Sequence, residues 1–450
     1  MKTIFVSVLQ AVQAKNILRT GIYRRLIAEP DLKVVLLVGS PEHARYYGAE
    51  FSHPRLVYEV IAPYRPRGLD RLFAGLKFLL IRSETFDLRR RMRLEDEGGY
   101  VRYGVSWLSN RVFARRSVRR TARFLDRLLV RRTPFGPLFE RYHPDAVMLA
   151  HLFDDAEIAI LREARRRAVP VIGFVNSWDK LTGRAMLRLL PDKLIVFNGI
   201  VREEAVRFAD MDGRDIFVGG LPHYDRYVTN RPSPRGEFCR TFGIPPEHHV
   251  LVYAPNGKYS AKADGPLIDF LQEAIASGRI SNASLLVRFQ PNDRVDMAEV
   301  ERRPWLHYDI PGKRFSSERG VDWDMDERDT QRLIDTLAHA AVFLCYTSSL
   351  SVDAAVFDKP VININFELVP IAKRADSPIH YYCMEHYRKA VESGGIRVVS
   401  SPHDLIEWVN RYLAHPETDG EGRRRLVAAQ CGVLDGRAGE RIAEFFLAAL

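Results

Sequence analysis

Cysteine is scarce in this chain. Cys239, Cys345, Cys383 and Cys431 are the whole supply, far apart and without a CxxC pair. That excludes a disulfide scaffold and the zinc-ribbon and thioredoxin patterns, and points to reduced thiols. Only Cys383 has histidines close by, His380 and His386, and with no second cysteine the trio is not read as a metal site. No run approaches the ~18–20 apolar residues that cross a bilayer. No internal repeat, low-complexity tract or GxxxxGK phosphate loop is present. The opening MKTIFVSVLQAVQAK carries one early lysine and an apolar run broken by Gln10. It reads as the first buried strand, Thr3 to Val8, of a cytoplasmic α/β domain rather than as a secretion leader.

Acidic residues are short in one place. From Arg65 to Arg132 there are 19 Lys/Arg against 7 Asp/Glu, a net of +12, while the whole chain carries +10. The remainder therefore sums to −2, so the basicity is local and the protein is not basic throughout. With 450 residues, the chain is long enough for two or three domains, each burying its own core.

Short apolar runs alternate with amphipathic segments, the pattern of parallel β/α units. In the first half, strands are expected at Thr3–Val8, Val34–Val38, Leu56–Ile61, Ala146–Leu149, Val171–Val175 and Leu194–Phe197. Helices are expected at Asn16–Ile27, Ala156–Ala168 and Val201–Ala209. GGLPHYDRYVTNRPSPRG, from Gly219, is rich in Gly, Pro and polar residues and suits a linker. The alternation then restarts, with strands expected at Val250–Ala254, Ser284–Phe289, Val342–Cys345 and Val361–Ile364. Helices are expected at Pro266–Ala276, Thr330–Ala340, Leu350–Phe357 and in the tail from Arg437. The architecture inferred is α/β, two Rossmann-like domains facing each other across a cleft. Their expected limits are 1–220, with a basic helical insertion at about 65–133, and 237–434, followed by a closing helix at 435–450.

In open parallel sheets ligands bind beyond the carboxyl ends of the strands, so the residues just after each strand carry the information. YTSSLSVD places Thr347, Ser348 and Ser349 between a strand and a helix. Hydroxyls there suit either a phosphate cradle or simple N-capping; one cap would suffice, and there are three. YAPNGKYS offers Asn256, Gly257 and Lys258, an anion-binding arrangement or an ordinary loop. LLVRFQPND puts Arg288 at a strand end, where it needs a partner, either a phosphate or a neighbouring carboxylate. GFVNSWDKLTG offers Trp178, Asp179 and Lys180. Asp179 is placed either to take a proton from an acceptor hydroxyl or to cap the next helix.

Taken in order, YAPNGK, RFQP, SSLSVD…KP and the final LDGRAGERIAEFF resemble GT-B nucleotide-sugar glycosyltransferases. The nearest branch is that of the CDP-glycerol glycerophosphotransferases, which includes the teichoic-acid polymerases. The resemblance runs from about Gly173 to the end. It implies the GT-B fold, a last helix crossing back to the first domain, a nucleotide-activated donor and chemistry without a bound metal or other cofactor. Two family histidines are replaced, one by Asp179 in SWDKLTG and one by Gln290 in RFQP, and Tyr346-Thr347 stands where the family has an Asp before its serines. Those departures speak against glycerophosphate transfer, and a carboxylate at Asp179 suits glycosyl transfer. By the resemblance, Ser348 and Ser349 hold the donor diphosphate with Lys258 and Arg288 as counter-charges. Asn256, Gln290 and Thr347 complete the donor site, and Asp353 either touches the ribose or serves as a helix-capping or solvated acid.

The basic segment contains GLDRLFAGLKFLLIR and RVFARRSVRRTARFLDRLLVRR. Such helices either lie on an anionic membrane surface or pack their leucines on the core and solvate their arginines. A lipid-linked acceptor would call for the first. Nucleic acid is not an expected partner, because the arginines sit on helices without a recognition motif. The expected function is a cytoplasmic glycosyltransferase, peripheral on the inner face of the membrane, moving a sugar from a nucleotide diphosphate or monophosphate donor to a surface glycan or glycolipid. The alternatives are a CDP-alditol glycerophosphotransferase-like enzyme, a sugar-nucleotide 2-epimerase and a non-catalytic nucleotide-binding relative.

Overall fold

A computed structural model describes residues 1–257, 261–315 and 323–450. The chain divides into two compact units. The first comprises residues 1–90, 99–228 and 431–450, and the second comprises residues 91–98 and 229–430.

The first unit is built on seven parallel strands: β1 Lys2–Val8, β2 Leu32–Val38, β3 Leu56–Val60, β4 Ala146–Leu149, β5 Val171–Phe174, β6 Lys193–Val196 and β7 Ile216–Val218. Their order is β3-β2-β1-β4-β5-β6-β7. The strands read as unbroken apolar runs because helices cover both faces of the sheet; Ile4, Phe5, Val6, Val147 and Ile195 are fully buried. The order reverses between β1 and β4, which is a topological switch point.

The second unit holds β8 His249–Ala254, β9 Ala283–Arg288, β10 His307–Asp309, β13 Ala340–Cys345, β14 Val361–Ile364 and β15 Arg397–Val399 in the order β10-β9-β8-β13-β14-β15, again all parallel. A separate antiparallel pair is formed by β11 Lys313–Arg314 and β12 Trp323–Asp324. The switch point here lies between β8 and β13. Both units are therefore Rossmann-like, as the sequence implies. The strands it does not announce, β7, β10, β11, β12 and β15, are two or three residues long. Such short segments are too brief to show a period.

The helix expected over Asn16–Ile27 is two helices, Ala11–Ile17 and Gly21–Ala28. Thr20 restarts it, its Oγ1 accepting the N–H of Ile22 at 3.2 Å. The C-terminal helix, Ala438–Leu447, returns to the first unit. Its free N–H groups at Ala438 and Gly439 donate to the Asp225 carboxylate at 2.9 and 2.8 Å. Gly439 lies so close to Gly21 that a Cβ on it would sit 2.7 Å from the Gly21 nitrogen, so only glycine fits.

The basic insertion folds as helices Leu69–Leu79, Glu84–Glu97, Tyr100–Phe113 and Arg116–Leu129. It does not solvate all its arginines. Arg119 and Arg123 are buried against Asp210 at 2.6 and 2.7 Å, and Asp126 is buried between Arg162 (2.8 Å) and Arg188 (2.5 Å). Among the described residues no helix is long and apolar enough to cross a membrane.

Candidate functional site

In the second unit, three of the loops singled out from sequence lie at the carboxyl ends of adjacent strands. The turn after β8 is held from within. Asp264, on the helix Ala261–Ala276, accepts the Tyr253 hydroxyl at 2.5 Å and the N–H groups of Asn256 and Gly257 at 3.2 Å each. Burial pushes this carboxyl up to about 7, against the pull of those three donors. Gly257 adopts φ +78°, and a Cβ there would meet Asp293 Oδ2 at 2.6 Å. Gln290, after β9, donates from Nε2 to the carbonyls of Pro255 (3.3 Å) and Asn256 (3.1 Å). Asn256 and Gln290 thus belong to one loop assembly. Lys258 lies outside the described residues. Arg288 is ion-paired with Asp309, which is buried on the neighbouring strand β10, so its partner is the carboxylate of the two alternatives.

After β13 the three hydroxyls divide their tasks. Ser348 Oγ accepts the N–H of Leu350, the first residue of the helix Leu350–Val356, at 3.3 Å, while Ser349 at the N-cap position makes no cap bond. Among the described residues, neither the half-buried Thr347 nor the exposed Ser349 has a side-chain hydrogen bond. A buried network fixes the turn from below. The Tyr387 hydroxyl donates to Asn363 Oδ1 (2.6 Å), lies 3.0 Å from Ser351 Oγ and accepts the Ser348 N–H (3.2 Å). Burial pushes the Tyr387 phenol well up, so it stays protonated. Asp353 is buried, not solvated.

In the first unit, Asp179 follows β5. Its Oδ1 accepts the Ser177 hydroxyl at 2.5 Å, and although it precedes the short helix Lys180–Gly183 its side chain makes no cap bond. Burial lowers the Lys180 ammonium, and Asp179 works in the opposite direction.

The sequence reading passed over the switch point of this unit. His151 follows β4, is buried, and its Nδ1 has no hydrogen-bond partner among the described residues. Burial, with Lys180 and Arg184 adding to it and Asp179 opposing, pushes its imidazole down to about 3, so it is neutral. Asn176 is also buried. Its Nδ2 donates to the Ala150 carbonyl at 2.6 Å, and its Oδ1 has no partner among the described residues. Beneath them Glu157 ties the β1 and β4 loops together. It accepts Ser7 Oγ (2.7 Å), Gln13 Nε2 (2.5 Å) and the His151 N–H (2.7 Å). Burial, then the charge of Asp154, pushes its carboxyl up to about 8. Among the described residues no group of three or more His, Cys, Asp or Glu is placed to hold a metal ion.

Two Rossmann-like units with their polar loops at the switch points define the GT-B class. Solved structures of similar fold include the UDP-GlcNAc 2-epimerase from Neisseria meningitidis bound to UDP-GlcNAc, at 12% identity over 100% of both chains with a TM-score of 0.56. The UDP-GlcNAc 2-epimerase from Methanocaldococcus jannaschii is 12% identical over 100% of both chains, with a TM-score of 0.53. A glycosyltransferase from Rickettsia africae is 9% identical over 99% of this chain and 98% of its own, with a TM-score of 0.51. At these identities the likeness establishes the fold alone. No curated protein matches the sequence. The profile of the CDP-glycerol:poly(glycerophosphate) glycerophosphotransferase family matches residues 187–448, more than half of the chain, and the chain belongs to that family. The matched region contains the loops of the second unit and begins after Asp179.

Proposed function

We propose that the protein transfers a sugar from a nucleotide-activated donor to a hydroxyl of a surface glycan or glycolipid presented at the cytoplasmic face of a membrane. The observation that carries this reading is the β8/β13 switch point, where Ser348 Oγ takes the Leu350 N–H and, among the described residues, Thr347 and Ser349 have no side-chain hydrogen bond. Their hydroxyls, with the Asn256 loop and Lys258, serve the donor phosphates, and charge-assisted bonds there stabilise the departing nucleotide. Asp179 takes the proton of the acceptor hydroxyl as its oxygen bonds to the anomeric carbon and the sugar–phosphate bond breaks. The Neisseria meningitidis neighbour's bound UDP-GlcNAc supports a nucleotide-sugar donor.

Membership of the glycerophosphotransferase family favours a second reading. The acceptor hydroxyl would then attack phosphorus in CDP-glycerol and release CMP. The group found on the acceptor, a sugar or a glycerophosphate, separates the two.

The first test is melting temperature with UDP, CDP, GDP, TDP and CMP in turn. A ligand at 100 times its Kd adds about 2.7 kcal/mol to the native state. One nucleotide should shift the transition, and a Thr347→Ala/Ser349→Ala double variant should lose the shift. Asp179→Asn should keep the shift and lose transfer; full turnover in that variant removes Asp179 as the base.

A further inference from the structure

Three helices of the basic insertion turn large apolar side chains outward. On Arg116–Leu129 the buried positions are Arg119, Ala122, Arg123 and Asp126, while Phe124, Leu125 and Leu128 are 56%, 37% and 54% exposed. Leu69–Leu79 repeats the inversion in part: Asp70 and Lys77 are buried beside Phe73, while Leu72 and Phe78 are more than half exposed. The buried charges are paired: Lys77 with Asp155 at 2.9 Å, Asp70 with Arg162 and Arg188, and Arg119 and Arg123 with Asp210. On Tyr100–Phe113, Val101, Val105, Leu108 and Val112 are all exposed, and their steps of four, three and four place them on one face. Fourteen of the twenty-three large exposed hydrophobics among the described residues fall between Leu69 and Leu129. Between these helices runs an apolar groove of about 450 Å³, lined by Phe73, Leu76, Leu80, Phe113, Val118 and Leu125 among others.

A helix in water buries its leucines and solvates its arginines; this one does the reverse and uses ion pairs to do so. An apolar patch of this extent, rimmed by polar groups, marks a surface that something covers. The rim decides what. Arg71, Arg102, Arg115, Arg116, Arg120 and Arg127 are exposed around the apolar stripes. A second copy of the chain would set these like charges against each other, whereas an anionic leaflet neutralises them.

We infer that the face formed by Leu69–Leu79, Tyr100–Phe113 and Arg116–Leu129 docks on an anionic bilayer, with its apolar stripes in the interface and the groove holding a hydrocarbon chain of a membrane lipid. The surface stands on its own observations. It deepens the proposed function, on which it rests only for the delivery of a lipid-linked acceptor.

The test is flotation of the full chain with vesicles of phosphatidylglycerol and phosphatidylcholine, against phosphatidylcholine alone. The protein should float with the anionic vesicles and little with the neutral ones. Leu108→Asp and Leu128→Asp should each weaken binding by about tenfold or more, with an unchanged melting temperature because both positions are already exposed. An Arg120→Gln/Arg127→Gln double variant should lose much of the anionic preference. Independently of any stripe variant, emission from Trp107, isolated by comparison with Trp107→Phe, should shift to the blue on adding anionic vesicles. Asp179→Asn should float like the unaltered chain, so failure of the catalytic reading leaves this result standing. No flotation, or equal flotation of the Asp variants, overturns the inference. A dimer in lipid-free buffer that Leu108→Asp dissociates would assign the face to a second copy and overturn it equally.

Discussion

Gln290 Nε2 donates to the Asn256 carbonyl at 3.1 Å, joining the turn after β9 to the turn after β8. In the sequence the two residues are separate donor-site candidates. In the fold, Gln290 braces the loop that presents Asn256. Gln290→Leu removes both bonds to that loop and leaves the carbonyls of Pro255 and Asn256 without a side-chain donor. Nucleotide affinity should fall about five- to tenfold, at a cost to stability of about 1 kcal/mol, measured by calorimetric titration and denaturant unfolding.

Asp264 ties the same turn from the other side, through the N–H groups of Asn256 and Gly257. Asp264→Ala should cost more, about 1–3 kcal/mol, because it leaves buried donors unmade. It should also weaken nucleotide binding. Since its carboxyl is pushed up to about 7, it is the neutral acid that folding favours, and its contribution fades as pH rises through 7. Asp264→Asn should flatten that part of the pH–stability curve; an unchanged curve would show that the carboxyl does not titrate there.

Glu157 makes the larger pH prediction. Its ordinary value of 4.5 is raised to about 8 in the fold, so the folded state binds the proton more tightly than the unfolded chain. The resulting stabilisation is complete below 4.5 and is lost as pH climbs through 8. The shift corresponds to at most ~5 kcal/mol. Glu157→Gln, which is neutral at every pH, should keep its melting temperature into the alkaline range where the unaltered protein loses its own.

His151 has a neutral ring whose Nδ1 has no hydrogen-bond partner among the described residues, and it interacts electrostatically with Asp179. Because Asp179 is proposed to take the acceptor's proton, we propose that the acceptor also meets His151; His151→Phe should then reduce turnover by about ten- to a hundredfold through loss of one hydrogen bond to a buried polar ligand. The nucleotide-induced shift in melting temperature should survive. Loss of both would reduce His151 to a structural role.

Asp126 sits between two buried guanidinium groups, with Arg162 Nη2 at 2.8 Å and Arg188 Nε at 2.5 Å. Asp126→Ala leaves both arginines buried without that counter-charge and should destabilise the first unit by about 3–5 kcal/mol. Urea unfolding measures it, and a change under 1 kcal/mol would mean that the network has rearranged around Asp70.

Much of the fold is legible along the chain because central parallel strands, buried on both faces, are apolar runs regardless of what they pair with. Ala146–Leu149 and Val361–Ile364 match their expected spans residue for residue, and the turns after β8, β9 and β13 lie where the sequence puts them. Strand ends followed by Asn-Gly, Gln-Pro or Thr-Ser-Ser are local signals, and local signals survive folding. Other features have no local signature. Glu157 is one acid on an amphipathic helix until strand order sets β1 beside β4 and closes Ser7, Gln13 and the His151 N–H around it. His151 is a lone histidine after a strand until that same switch point buries it.

The basic helices show the division most sharply. Periodicity determines that Arg116–Leu129 is amphipathic, but it cannot say which face turns inward. Tertiary structure decides that, because Asp210, Arg162 and Arg188 come from distant parts of the chain and meet the polar face with charge-assisted bonds. Once those buried charges are paired, reversing the helix would strand them, and the leucines are left facing outward.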